Sequence, residues 1–373
     1  MKICHLTSVH IPFDTRIFYR ECKSLIKAGY EVYLIAGHPQ DDIIEGINLY
    51  PVPARKSKIK RILLSPWDVY RRALTVKAAI YHFHDPELLP IGFLLKLHGK
   101  KVIYDVHEDY PVYLPSKQFI PKLFRYPIAW LTGFLEIFSA RFFDAIIVAT
   151  PSIYERFKRV NKTTIMVRNF PSCKEFAPPD DDIPWDSRID AVAYIGLISV
   201  ERGIREIVRS LGLANHKRPV RLILGGKFET EKLEQEIRSM PEFPLVDYKG
   251  FMSREGMSHI FSCIKAGLVI FHPQPHHYDA YPNKFFEYMS AGIPIIASDF
   301  PNWRSIIEEA QCGLLVDPTS PQALAKAIDH ILSHSEEAEA MGMRGRKLIE
   351  EKYIWEQEEE KLVNLYHDLL HER

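Results

Sequence analysis

A chain of 373 residues, 46 % of them hydrophobic, holds enough apolar material for two ordinary domains with separate cores. Charged residues make up 26 % and aromatics 12 %, close to globular averages, which excludes collagen-like, disordered and coiled-coil chains. Lys plus Arg and Asp plus Glu are both 48, yet residues 1–170 carry 25 basic against 15 acidic and the remainder 23 against 33. A cationic half therefore precedes an anionic one, which bears on partners.

The first strand is read in KICHLTSV, at the very start, where a secretory leader would show a charged and then an apolar region. Strands follow in YEVYLIAG, AIYHFHD, KVIYDVH, DAIIVAT and TIMVRN, with helices between them in TRIFYRECKSLIKAG, SPWDVYRRALTVKAA and YPIAWLTGFLEIFSARFF. A polar, proline-bearing break, FAPPDDDIPWDSR, spans 176–188. The alternation then restarts with DAVAYIG, VRLILGG, VDYKGF, AGLVIFHP, IPIIASD and GLLVDP, and the chain ends in the helices SPQALAKAIDHILSH and WEQEEEKLVNLYHDLL. Apolar runs alternating with helical segments predict βαβ crossovers and parallel sheets, here two Rossmann-like α/β domains facing across a cleft. The predicted boundaries are 1–172 for an acceptor-side domain, 173–350 for a donor domain, and 351–373 for a last helix.

Five scattered cysteines (Cys4, Cys22, Cys173, Cys263, Cys312) with no C-x-x-C pair suit a reducing compartment and fit neither a disulfide framework nor a structural zinc motif. The strongest candidate for a membrane span, YPIAWLTGFL, runs only ten uncharged residues before Glu136 and is too short to cross a bilayer. The expectation is a cytoplasmic chain, with one qualification. Residues 54–74 and 117–138 interleave Lys and Arg with Leu, Ile, Trp and Phe, as suits a surface lying on anionic lipid at the inner face of the membrane. Nucleic acid is not an expected partner, because the second domain is acidic and no nucleic-acid module is present.

The segment DAYPNKFFEYMSAGIPIIASDFPNW, 279–303, concentrates the chemistry. Helical signals run from Pro282 to Gly292, which puts Asp279 on the loop before the helix and Glu287 on its second turn. Backbone N–H groups at such a junction suit a diphosphate, and carboxylates accept from sugar or ribose hydroxyls. In YIGLISVERGI a strand ends at Gly196 and a helix starts at Gly203, so Arg202 sits beside orphan amides as an anion site. In the first half His107 and Glu108 end one strand and Asp85 ends its neighbour, while the loop VHIPFDTRIF carries His10, Asp14 and Arg16. Asp14 suits a helix N-cap as well as an acceptor contact.

The stretch P-N-K-x-F-E-Y-M-x-A-G-x-P-x-x-A-S-D resembles the E-x7-E region of retaining family-4 glycosyltransferases, and KICHLTSVH, VRNFP, YIGLISVERGI and GLLVDP extend the likeness over nearly the whole chain. The resemblance implies the GT-B fold, with the donor nucleotide held mainly by the second domain and the last helix crossing back to the first. It implies Glu287 on the ribose hydroxyls, Asp279 with the backbone of Tyr281, Pro282 and Asn283 on the donor sugar and diphosphate, and His107 bordering sugar and acceptor. Three departures stand out: Asp279 replaces the family's first Glu, Leu197 its usual arginine, and Ser305 a frequent acidic residue. Arg202 and Lys284 are then the cations for the diphosphate.

The implied reaction moves a sugar from a nucleoside diphosphate, UDP before GDP, to a hydroxyl of a saccharide or lipid-linked acceptor in cell-surface polysaccharide or glycoconjugate synthesis. No cofactor and no metal are expected. Asp180, Asp181 and Asp182 lie in the linker rather than at a strand end, and His272, His276 and His277 match no zinc spacing. A nucleotide-sugar epimerase of the same architecture and a catalytically degenerate sugar-nucleotide-binding subunit are the alternatives.

Overall fold

In the computed structural model, residues 1–53, 55, 57–116, 120–172, 175–176, 183–214, 220–278 and 280–371 are described, with Lys58 and Ile59 as backbone only. The chain divides into two units, Met1–Asn169 with Trp355–Arg373, and Phe170–Ile354. The breaks fall at 169/170 and 354/355, a few residues from the 172/173 and 350/351 read in the sequence. Because the segment Trp355–Arg373 joins the first unit and brings six acidic and two basic residues, that unit holds 27 basic against 21 acidic residues. The charge contrast is thus smaller than the linear halves suggest.

The first unit is built on an eight-stranded sheet: β1 (Lys2–Leu6), β2 (Glu31–Gly37), β3 (Asp42–Ile44), β4 (Ile47–Val52), β5 (Ile80–Phe83), β6 (Lys101–Val106), β7 (Ala145–Val148) and β8 (Thr164–Met166). Their order is β3-β4-β2-β1-β5-β6-β7-β8, parallel except for the β3–β4 hairpin. The inner strands are buried along nearly their full length, as both faces of a parallel sheet must be covered. One face is covered by Val69, Ala73, Leu95, Phe143 and Phe157 among others. The other packs Ile17, Phe18 and Leu25 together with Trp355, Leu362 and Tyr366 of the terminal helix Trp355–His371. Trp355 Nε1 donates to Ser24 Oγ at 2.9 Å, which fixes that helix at its start.

The segment TRIFYREC, expected as ordinary helix, opens as a widened π-type turn over Thr15–Cys22 before continuing as α-helix over Lys23–Lys27. Widening the turn brings Arg16, Arg20 and Glu21 inward together with Ile17 and Phe18.

The second unit has six parallel strands, β9 (Ala191–Ile195), β10 (Arg221–Gly225), β11 (Val246–Gly250), β12 (Ala266–Val269), β13 (Ile295–Ser298) and β14 (Gly313–Val316). Their order is β11-β10-β9-β12-β13-β14, around one continuous core. In each sheet the winding direction reverses once, between β1 and β5 and between β9 and β12. Open α/β sheets bind ligands beyond the carboxyl ends of the strands at that reversal. The linker aspartates 180–182, Cys173, Lys56 and residues 117–119 lie outside the described residues.

Candidate functional site

At the reversal in the second unit, β9 ends at Ile195 and the chain turns through Gly196, whose φ of +137° only glycine adopts freely. A short 3-10 turn, Val200–Arg202, leads to Gly203, left-handed at φ +64°, and to the helix Ile204–Leu213. A Cβ on Gly203 would fall 2.5 Å from Ile270 Cγ2, so glycine is also required for close approach to the chain beyond β12.

Two cations converge here. A Cβ on Gly196 would lie 3.3 Å from Lys284 Nζ and 3.8 Å from Arg202 Nη1. Arg202 stacks over the Phe271 ring at 5.1 Å, and Lys284 Nζ sits 3.4 Å from the Tyr194 ring centroid. Lys284 is buried, and its Nζ has no hydrogen-bond partner. Burial, and then the neighbouring Arg202 charge, hold its pKa well below the usual lysine value, with Glu287 only partly opposing them. Two like charges at a buried strand end favour a bound anion.

Glu287 lies on the helix Asn283–Ser290, which begins one residue after Pro282, and is buried. Its Oε1 accepts from Arg254 Nη1 at 2.8 Å, and Arg254 Nε also donates to Glu175 Oε1 at 2.7 Å. Arg254 went unrecognised in the sequence, although a signal was present. An arginine in the first turn of a helix, here Arg254–Cys263 capped by Ser253, opposes the helix dipole and calls for a separate reason. Tyr281, Pro282 and Asn283 are half-buried on the approach to the Glu287 helix. That loop is pinned by Trp303 Nε1 donating to Ala280 O at 2.7 Å and Asn302 Nδ2 donating to Tyr278 O at 3.2 Å. Asp279 itself lies outside the described residues. Leu197, in the place of the family arginine, is exposed.

The three histidines before this loop have different partners. His272 Nε2 is 3.1 Å from Glu206, whereas His277 Nδ1 donates to the His272 carbonyl at 2.8 Å and burial lowers its pKa to about 4. His276 and His277 come together with Glu201, a residue that the spacing did not indicate, bringing three potential ligand atoms within 4.8 Å of one another.

In the first unit the predicted residues gather at the ends of β1, β5 and β6. Asp85 Oδ2 accepts from Thr7 Oγ1 at 2.8 Å and from the Ser8 amide at 2.6 Å, clamping the loop after β1. His10 is held between Asp14 (3.3 Å) and Asp85 (3.5 Å). Burial disfavours its charged form, but the Asp14 hydrogen bond and the nearby carboxylates prevail and raise its pKa to about 9. Asp14 caps the following turn, accepting from the Arg16 and Ile17 amides at 2.9 and 3.1 Å. His107 is half-buried, 3.0 Å from His84 Nδ1, and burial lowers its pKa to about 3. Glu108 is exposed beside it.

Arg16 departs from the acceptor-side expectation. It is 4 % exposed, with Nε and Nη2 on the two Asp105 oxygens at 2.9 and 3.0 Å and Nη1 on the Val167 carbonyl at 2.8 Å. The widened turn rotates it inside the unit, where it neutralises Asp105.

Two family models match the chain: "Glycosyltransferase Family 4" over residues 15–167 and "Glycosyl transferases group 1" over residues 181–348. The Staphylococcus aureus capsular polysaccharide biosynthesis glycosyltransferase CapM is 23 % identical over 188 residues, 48 % of this chain and 47 % of its own. The chain spans about half the length of the curated relatives it matches. Among solved structures, sucrose-phosphate synthase from Thermosynechococcus elongatus superposes with a TM-score of 0.77 at 20 % identity, over 99 % of both chains. Anabaena HepE in complex with UDP-glucose gives 0.73 at 14 % identity, over 99 % of this chain and 100 % of its own. Both show the same two-domain fold.

Proposed function

The chain belongs to family 4 of the GT-B glycosyltransferases, and we propose that it transfers a sugar from a nucleoside diphosphate to a hydroxyl with retention at the anomeric carbon. The observation that carries this reading is the buried Lys284 ammonium, without a hydrogen-bond partner and next to Arg202 at the carboxyl end of β9. A diphosphate supplies the missing anion, and the two cations with helix-end amides stabilise it as a leaving group. On this reading no divalent metal assists departure, and turnover is independent of added Mg2+ or Mn2+.

Glu287 accepts from the ribose hydroxyls, with Arg254 fixing its orientation. The sugar roles that the family resemblance implies for Asp279 and His107 are part of this proposal. UDP is favoured over GDP because the similar HepE was solved with UDP-glucose. A saccharide or lipid-linked acceptor in cell-surface polysaccharide synthesis fits the similarity to CapM.

Attachment to anionic membrane is part of the reading. The helix Lys122–Ala140 turns Ala129, Glu136, Ser139 and Ala140 inward and leaves Trp130, Phe134 and Phe138 exposed. Ile62, Leu63, Leu64 and Trp67 are likewise exposed on the helix Lys58–Val76. No helix among the described residues is long and apolar enough to cross a membrane.

The test screens the purified chain against nucleotide sugars by thermal shift, since a ligand at 100 times its dissociation constant stabilises by about 2.7 kcal/mol. Product analysis with the best donor follows. A glycoside with the donor's anomeric configuration is expected. An isomerised donor without transfer would identify an epimerase, and binding without turnover a degenerate subunit.

A further inference from the structure

Beneath the loop residues of the first unit lies a polar centre that the transfer reaction does not use. His5 on β1, Glu21 on the widened turn, His82 on β5 and His84 just beyond it are all buried, with side chains at 0 % exposure. Each offers one ligand atom, and the four atoms lie within 4.8 Å of one another. Glu21 Oε2 is 3.8 Å from His5 Nδ1, 3.9 Å from His82 Nδ1 and 3.9 Å from His84 Nε2. His5 Nδ1 and His84 Nε2 are 3.0 Å apart. Ligands of a tetrahedral zinc at 2.0–2.1 Å stand about 3.3 Å from one another, so the three Glu21–histidine distances would shorten by about half an ångström and the widest pair by up to about 1.5 Å.

We propose that His5, Glu21, His82 and His84 form a closed structural site for zinc. Two of the three nitrogens facing away from the centre support it, because a ligating histidine almost always donates its other N–H to a fixed acceptor. His84 Nδ1 is 3.3 Å from Asp105 Oδ2 and His5 Nε2 is 3.3 Å from Tyr366 Oη, whereas His82 Nε2, 3.7 Å from Asp105 Oδ2, has no hydrogen-bond partner.

Charge points the same way. Glu21 and Asp105 are two fully buried carboxylates sharing the single Arg16 guanidinium, and neither Glu21 oxygen has a hydrogen-bond partner. A divalent cation neutralises that excess; a proton on Glu21 is the competing solution. One contact must yield on metal binding, the 2.6 Å hydrogen bond between Tyr366 Oη and His82 Nδ1, while Tyr366 keeps His5 as its partner.

Such a site would join β1, β5 and the widened turn, and brace the terminal helix through Tyr366. It would also hold His84 in place against His107, 3.0 Å away. Full burial means that the metal enters during folding. The site is independent of the proposed transfer and stands or falls without reference to it.

The experiment uses the full chain, expressed without a metal-affinity tag in zinc-supplemented medium, and elemental analysis by mass spectrometry. About one zinc per chain is expected. After unfolding in chelator, refolding with Co2+ should give the visible spectrum of a tetrahedral complex. The Glu21→Gln variant separates the two solutions, because Gln mimics a protonated Glu in shape and charge but is a poor ligand. Zinc binding predicts that it loses metal affinity at least tenfold and melts lower. A parent chain without zinc, a variant melting like the parent, or a variant retaining full zinc would each overturn the proposal.

Discussion

Replacing Lys284 by Met separates binding from stability. Met matches the lysine stem in length and has no charge to desolvate. The Nζ it removes is buried, without a hydrogen-bond partner, and close to a second cation. Leaving such a donor unsatisfied costs about 1–3 kcal/mol, so the substitution should stabilise the free protein. At about 2–4 °C per kcal/mol for a unit of this size, the melting temperature rises by several degrees. Loss of one charge-assisted hydrogen bond to the diphosphate, about 1.5–3 kcal/mol, weakens UDP binding roughly 10- to 150-fold.

The proton balance gives a second reading of the same residue. A lysine held below its ordinary value of 10.5 makes the unfolded chain the better proton binder, so stability contributed here rises with pH up to that value. A bound diphosphate pulls the pKa back up. Calorimetry at about pH 9 in two buffers of different ionisation enthalpy should therefore show proton uptake on UDP binding, absent in Lys284→Met. A variant that melts below the parent and binds UDP unchanged would refute the reasoning, because Lys284 would then be a packing residue.

How far the sequence could be read depended on the range of the interaction. Alternating apolar runs revealed the buried parallel strands because burial on both faces leaves a local trace. The β3–β4 hairpin left little: Asp42–Ile44 and Ile47–Val52 are only partly buried, and their turn rests on Glu45 and Gly46 at φ 50° and 82°. Glu287 was legible because its surroundings form a contiguous motif. Its partner Arg254 is 33 residues away, and Glu175 is 79 from Arg254. Arg16 looked like a loop residue open to the acceptor, since nothing local marks a turn that widens and rotates it towards Asp105. The buried histidines were hidden for a related reason. His5, His82 and His84 sit within apolar strand runs, where polar residues become informative only when neighbouring strands bring them together.

The remaining predictions address other parts of the site. Arg202→Ala should weaken UDP and the donor at least tenfold while leaving uridine binding nearly unchanged, measured by calorimetry; parallel losses would make Arg202 a structural loop residue. Glu287→Gln should lower donor affinity about tenfold or more and, because Arg254 loses a charged partner, also lower the melting temperature; an unaltered melting temperature would remove Arg254 from the argument. Membrane attachment follows from the helix Lys122–Ala140, which buries Glu136 against Tyr104 (2.7 Å) and Arg156 (3.1 Å) and exposes Trp130 to 71 % and Phe134 to 54 %. A water-facing helix normally shows the opposite arrangement, so the exposed aromatics call for a surface that takes them up, and the basic excess of this unit selects an anionic one. Flotation should bring the chain up with vesicles containing anionic lipid and not with neutral ones, less so at high salt, and Trp130→Ser with Phe134→Ser should reduce binding without altering UDP affinity. Equal binding to both vesicle types would leave the aromatics but not the charge as the cause, and no binding to either would refute membrane attachment.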